Sequence, residues 1–311
     1  MIRVVDRTDI EAAARRIGGH IRHTPSYEVR PGLWFKLELL QHSGSFKARG
    51  AFNRILAAAE AGALPEAGVV VASGGNAGLG VAYAASRLGV RAEVFVPRNA
   101  PATKVARLRE YGAEVHQHGR EYAEAYAASS VRVAETGALF VHAYDQPEIV
   151  AGQGTLGLEL PEADTVLVAV GGGGLVGGIA AAVGDRVRIV AVEPEQAPTL
   201  HAALAAGAPV DVRVSGVAAD SLGARRVGRI AFDLAVRHGI ESVLVSDEAI
   251  VTARLRLWRE HRLAVEHGAA AAFAALEHAA GTTVVVLCGA NTDPATLTAA
   301  PAADQPAHAA G

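Results

Sequence analysis

The sequence predicts an α/β fold of two domains, each a mostly parallel, twisted sheet covered by helices. Three observations predict it. Short apolar runs alternate with longer helical patterns along most of the chain. Glycine or proline closes many of these segments. With 311 residues, half of them hydrophobic, the chain can bury two sizeable cores. No short-period repeat interrupts the alternation, which excludes a solenoid.

Taken in order, Val69–Ala72 reads as a strand and Asn76–Leu88 as a helix closed by Gly89. Ala92–Val96 is a strand ended by Pro97, Ala102–Tyr111 a helix closed by Gly112, and Ala113–Gln117 a strand. Glu121–Thr136 (helix), Ala138–Ala143 (strand) and Gln146–Leu160 (helix) follow. Then come Val166–Val170 (strand), Leu175–Val183 (helix), Arg188–Val192 (strand) and Thr199–Ala206 (helix). Helices at Arg229–His238 and Asp247–His261 and strands at Ser242–Val245 and Thr283–Leu287 complete the series. The stretch from residue 301 to 311 is Ala/Pro-rich and reads as a frayed tail. In parallel sheets, function sits at the carboxyl ends of strands. Three such ends stand out: Ser73–Gly80, Gly171–Gly174 and Cys288–Asn291.

Composition removes several classes of function. Lys and Arg total 29 against 32 Asp and Glu, a net charge of −3, and they are scattered. That excludes a nucleic-acid surface and a polybasic membrane patch. The single cysteine, Cys288, allows no internal disulfide and points to a reducing compartment. The charged start MIRVVDRTDIEAAARRIGG lacks a signal-peptide core, so a soluble cytoplasmic protein is expected.

Residues 166–184, VLVAVGGGGLVGGIAAAVG, run uncharged and are long enough to test as a membrane span. Seven glycines, four of them consecutive at Gly171–Gly174, make poor helix, and no aromatic or basic residues mark the ends. Strand, turn and helix is the better parse. A glycine turn before a helix leaves bare backbone N–H groups that suit an anion; an ordinary tight turn is the alternative. In SGSFKARGAFNRIL, residues 43–56, Ser45 is a natural N-cap, which places Lys47 in the first helical turn. A cation at the positive end of the dipole has a lowered pKa, as a nucleophilic amine needs; a solvated surface lysine is the plainer reading. VASGGNAGLGVAYAA, residues 71–85, is another strand, turn and helix, with glycines that let a backbone approach a ligand. Neither GxGxxG nor a P-loop occurs there.

The segments SGSFKARGA, SGGNAGLGVAYAA, VPRNAPATKVARLREYGAEV, AGQGTLGLEL, VAVGGGGLVGGIA, AVEPEQAPTL and LCGAN stand in the order seen in fold-type II pyridoxal-phosphate enzymes. The chain resembles the serine/threonine dehydratases most, from about Thr24 to Asn291. This resemblance implies pyridoxal 5'-phosphate as cofactor and Lys47 as its covalent anchor. It implies Phe46 against the ring, Asn76 on the ring hydroxyl, and Gly171, Gly172, Gly173, Gly174 and Leu175 around the phosphate. Cys288 is the implied partner of the ring nitrogen. Ser73, Gly74, Asn76 and Ala77 are the implied carboxylate loop of the substrate. Glu193, the Ala197 carbonyl and Thr199 match a family cation site; one carboxylate with neutral oxygens suits potassium better than a divalent ion. A plain helix N-terminus is the alternative there. Gly216 matches loosely on the far side of the ring, and Glu266 matches a glutamate near the cofactor edge. The implied domains are 1–37 with 145–300 (large, cofactor-binding) and 38–144 (small, mobile), in a homodimer.

The implied reaction is β-elimination from L-serine, L-threonine or a related β-hydroxy amino acid. Lys47 takes the α-proton, the β-hydroxyl leaves with help from the cofactor phosphate, and the product hydrolyses to a 2-oxo acid and ammonia. A thiol at Cys288, unlike a carboxylate, does not keep the ring nitrogen protonated, which favours elimination over transamination. Racemases of the family carry Ser at the position of Gly74, so racemisation is not expected. β-Replacement and a non-catalytic binding role are the other readings. Ala77 stands where many dehydratases have His, as in the liver-type serine dehydratases. No regulatory domain is expected after residue 300. The twelve histidines show no metal spacing, and His116, His118, His261 and His267 are assigned structural roles. The segment ADSLGARR is left without an assigned role.

Overall fold

The computed structural model describes residues 5–298, so the tail at 301–311 lies outside the described residues. The chain opens with α1 (Arg7–Ile17), whose start is fixed by a reciprocal cap. Asp6 accepts from the Asp9 amide and the Asp9 carboxylate accepts from that of Asp6. β1 (Ser26–Arg30) and β2 (Leu33–Lys36) then form an antiparallel hairpin that the periodicity did not reveal.

α2 (Lys47–Glu60), β3 (Val69–Ala72), α3 (Asn76–Leu88), β4 (Ala92–Val96), α4 (Ala102–Glu110), β5 (Glu114–Gln117), α5 (Tyr122–Thr136) and β6 (Leu139–Phe140) follow. Their strands form a four-stranded parallel sheet in the order β5-β4-β3-β6. Alternate residues of β3 enter different cores. Val69 and Val71 pack with Phe52, Ile55, Leu79 and Leu108, whereas Val70 and Ala72 pack with Phe95 and Ala125. A strand buried on both faces is the expected form in a parallel sheet.

α6 (Pro147–Gly154), β7 (Thr165–Ala169), α7 (Gly174–Val183), β8 (Arg188–Pro194), α8 (Thr199–Ala206), α9 (Arg229–Arg237), β9 (Glu241–Val245), α10 (Asp247–His261), α11 (His267–Ala274) and β10 (Thr283–Val286) complete the fold. A six-stranded sheet takes the order β1-β2-β10-β7-β8-β9, parallel apart from the hairpin. Its core joins Val166–Val168 to Leu175, Ile179 and Val284–Leu287. α6 crosses α7 at Gly154 and Gly178, where a Cβ on either glycine would lie 2.5 Å from backbone of the other helix.

Two expected elements are shorter by more than one residue than the periodicity predicts. β6 ends at Phe140 because the His142 ring nitrogen accepts the amides of Tyr144 and Asp145 and turns the chain. The helix expected over Gln146–Leu160 is α6 followed by a 3-10 turn, Thr155–Glu159. Thr155 Oγ1 bonds back to the Gly152 carbonyl at that junction, a contact that bends helices.

Candidate active site

α2 begins at Lys47, but Ser45 is not its N-cap. Phe46 holds that position without a side-chain cap. Tertiary pairing decides this: Ser45 bridges Gly289 and the Phe46 amide donates to the Cys288 carbonyl at 3.1 Å. The end of β10 therefore sets where α2 starts. The Ser45 hydroxyl is left buried with no hydrogen-bond partner in the protein.

Lys47 Nζ donates to the Ala143 carbonyl at 2.7 Å and stands 4.7 Å from the centre of the Phe46 ring. Burial pulls its pKa down to about 8, while Cys288 and Glu266 pull the other way. Burial rather than the helix dipole is thus the leading cause. The side chain lies deep in the protein yet opens partly on the cleft. The chain's other two lysines are engaged by carboxylates: Lys36 with Glu159 at 2.6 Å and Lys104 with Asp220 at 3.9 Å.

The loop Ser73–Ala77 leaves the carboxyl end of β3 and enters α3. Gly75 is the N-cap, its own amide donating to Ser73 Oγ at 3.3 Å, and no side chain caps the helix, so the amides of its first turn have no internal acceptor. Asn76 Nδ2 donates to Glu266 Oε1 at 2.7 Å, and Asn76 Oδ1 accepts from Asn291 Nδ2 at 2.6 Å. The second hydrogen of Asn76 Nδ2 is available to a ligand. Glu266 is buried, and burial pushes its carboxyl up to about 7. Gly74 is half-buried, and a Cβ there would meet Val96 Cγ1 at 3.3 Å.

Gly171–Gly174 turn from β7 into α7. Gly173 is the N-cap with φ +85°, a conformation that favours glycine. A Cβ on Gly172 would overlap the Tyr144 ring, and one on Gly174 would lie 2.5 Å from Gln153 Oε1. Backbone amides at an uncapped helix start form a cradle for an anion. Leu175, next along α7, is buried in the core beneath it. Cys288 lies buried just past β10, and burial raises its thiol, which stays neutral. An amine at about 8, an anion cradle, an amide donor, a neutral thiol and an orphaned buried hydroxyl suit pyridoxal phosphate.

Residues 18–289 match the family described as pyridoxal-phosphate dependent enzyme. The chain belongs to that family. It is 40% identical over 309 residues to an L-threonine ammonia-lyase of Geobacter sulfurreducens, covering 93% of this chain and 76% of that protein. It is 38% identical over 314 residues to a phenylserine dehydratase of Ralstonia pickettii, covering 94% and 95%. Among solved structures, a threonine deaminase from T.th. superposes with TM-score 0.85 at 35% identity over 93% of this chain and 99% of that one. A maize serine racemase superposes with TM-score 0.87 at 32% identity over 95% and 96%.

In this pyridoxal-phosphate dependent enzyme, Glu193 Oε1 accepts from the Leu200 amide at 2.7 Å and lies 3.1 Å from Thr199 Oγ1. Oε2 accepts from the His201 amide at 2.8 Å and Ser242 Oγ at 2.7 Å. The Ala197 carbonyl accepts from the Thr199 amide at 3.0 Å. The three residues do come together, but as the start of α8. Thr199 Oγ1 also donates to the Gly171 carbonyl at 2.5 Å, which ties that start to the glycine cradle.

Gly216 lies three residues before Ala219, whose amide it accepts through its carbonyl. It is exposed with φ +82°, and the atoms facing it belong to the Asp247 carboxylate. The ADSLGARR segment reaches the site through three neighbours. The Asp220 carbonyl approaches Gly75, Ser221 Oγ accepts the Gly268 amide at 3.0 Å, and Leu222 packs on Gly171. Sequence reasoning missed Tyr144 and Asp220, whose roles follow from contacts 82 to 116 residues apart in sequence and leave no local pattern.

His116 stacks on Phe95 with ring centroids 4.6 Å apart, as a structural histidine does. It also gathers with Glu93 and Glu114, but Arg132 donates two bonds to Glu93 and makes the cluster an ion-pair network. A groove of about 670 Å3 beside it, lined by Phe95, His116, His118 and Arg132, contains none of the cleft residues. His261 packs edge-on against Phe35 at 5.1 Å. Among the described residues, no helix is long and apolar enough to cross a membrane.

Proposed function

We propose that the chain is an ammonia-lyase that dehydrates and deaminates L-serine, L-threonine or a related β-hydroxy amino acid. One observation carries this reading. An amine at about 8, Lys47, packs through its backbone on Gly80 of α3, whose start suits a carboxylate, and bonds the Ala143 carbonyl next to Tyr144, the wall of a glycine cradle suited to a phosphate. The names of the Geobacter and Ralstonia relatives support it, one an aliphatic and one an aromatic β-hydroxy substrate.

Lys47, Asn76, the Gly171–Gly174 amides and Cys288 would hold the cofactor. When bound, it supplies an electron-accepting ring that stabilises negative charge at the substrate α-carbon. The amides of Ser73–Ala77 bind the substrate carboxylate and fix the α-carbon near Lys47. Lys47 Nζ then takes the α-proton; near pH 8 a substantial fraction of the amine is unprotonated. The neutral Cys288 thiol would place no counter-charge against the bound ring, which would favour loss of the β-hydroxyl over transamination.

Gly74 offers no acid or base on the opposite face, which disfavours racemisation. Lys47, bonded to a backbone carbonyl rather than paired with a carboxylate, and the open cradle disfavour a role in binding alone. Potassium at Glu193, Ala197 and Thr199 belongs to the same proposal, beside a Glu193 carboxylate that also accepts from the Leu200 and His201 amides and Ser242 Oγ. Those two amides belong to the first turn of α8, and turnover with and without potassium tests the site. A homodimer belongs to the same proposal and is read by sedimentation.

The test is release of 2-oxo acid and ammonia from L-threonine and L-serine with pyridoxal phosphate, with and without potassium. Equimolar release is expected. Racemisation or β-replacement without 2-oxo acid would overturn the reading.

A further inference from the structure

Beside Lys47 stands a row of aromatic rings. The Tyr144 and His142 rings meet edge to face with centroids 4.6 Å apart. Tyr126 lies 6.5 Å from His142 and packs edge-on against Phe140 at 5.6 Å. Tyr122, at the first turn of α5, is 6.1 Å from Tyr126. The inner end of the row is at the chemistry. Lys47 Nζ bonds the carbonyl of Ala143, between His142 and Tyr144, and the Tyr144 ring covers Gly172. The Tyr144 hydroxyl is anchored on the Arg226 carbonyl at 3.2 Å. The outer end is open: Tyr122 is 52% exposed and belongs to none of the cores.

Substrate placement connects this row to specificity, and the connection rests on the lyase reading above. The α-carbon must come within about 3–3.5 Å of Lys47 Nζ for proton transfer. Its carboxylate is taken by the Ser73–Ala77 amides on the α3 side. The β-carbon and its substituent then lie beside His142–Tyr144. Serine offers hydrogen to that surface and threonine one methyl group. A phenyl ring offers a face and edges that pair with tyrosine and histidine rings.

We propose that Tyr122, Tyr126, His142 and Tyr144 form the subsite for the β-substituent, and that the preferred substrates are β-aryl-β-hydroxy amino acids. For phenylserine the Cα–H and Cβ–O bonds break; the α-proton goes to Lys47 and is passed on to the departing hydroxyl, which leaves as water. The resulting enamine takes up water at its C–N carbon and releases ammonia, giving phenylpyruvate. No oxidant or reductant is needed.

The test compares kcat/KM for L-phenylserine and L-threonine in the cofactor-loaded enzyme and in Tyr122→Ala, Tyr126→Ala and Tyr122→Phe. Calorimetric binding of L-phenylalanine and L-alanine, which lack a leaving group, is measured alongside. Tyr122 is exposed, so its replacement leaves the core intact. The wild type should favour phenylserine. Tyr122→Ala should lower the phenylserine-to-threonine ratio about tenfold, mainly through KM, and Tyr122→Phe should restore it. A wild-type preference for threonine, or a ratio unmoved by both alanine variants, overturns the inference and leaves the lyase reading intact. No 2-oxo acid from either substrate, with phenylalanine still bound more tightly than alanine through Tyr122, overturns the lyase reading and keeps the subsite.

Discussion

Lys47 carries the account at the residue scale. Its amine is buried at a helix start, and both placements disfavour the charged form. With its pKa at about 8, apoprotein should react with pyridoxal phosphate at a rate that rises with pH to a midpoint near 8. Stopped-flow absorbance reads this; a midpoint near the ordinary lysine value would contradict it. The same shift has a stability consequence. A depressed lysine pKa means the unfolded chain binds more protons between about 8 and the ordinary lysine value of 10.5. Stability therefore rises with pH across that window and stays reduced below it. Lys47→Met should melt at higher temperature than the wild-type apoprotein at pH 7 while losing turnover. Lys47 was legible in the sequence because a serine and an apolar helical pattern flank it. The true cap was not, because the bridge from Ser45 to Gly289 spans most of the chain.

At the scale of elements, the glycine turn before α7 and the α6–α7 crossing answer to different demands. Gly172 lets the Tyr144 ring close one wall of the cradle, so Gly172→Ala must displace it. Cofactor affinity should fall about tenfold or more, read by absorbance titration, with the circular dichroism unchanged. Gly178 lets two helices touch through their backbones. Gly178→Ala should cost about 1–3 kcal/mol of stability in denaturant titration and less in cofactor affinity. The cradle was legible because strand, glycines and helix follow one another locally. β6 was overextended because apolar alternation continues to Ala143, while the His142 ring, accepting two amides, ends the strand earlier.

At the scale of the molecule, a buried charge network fastens α2, and so Lys47, to the rest. Arg49, fully buried, bonds Glu38 at 2.6 Å and Glu159 at 2.6 Å, and Glu159 also takes Lys36 at 2.6 Å. Removing one partner of such a network leaves charges buried and unpaired. Arg49→Met should cost about 3–5 kcal/mol in urea unfolding; a loss under about 1 kcal/mol would mean the carboxylates find other partners. Alternating elements made every strand but β1 and β2 legible, while the network and the aromatic row were not. Their members are separated by up to 123 residues in sequence, and pairings between elements leave no local period.

The central claim is that Lys47 is the amine around which the cleft is built. Borohydride reduction of the cofactor-loaded protein, followed by peptide mapping, tests it most directly, since Lys36 and Lys104 are the only other lysines. The account predicts the cofactor fixed to Lys47, with 2-oxo acid release lost in proportion. Cofactor fixed to Lys36 or Lys104, or full turnover after complete modification of Lys47, would contradict it.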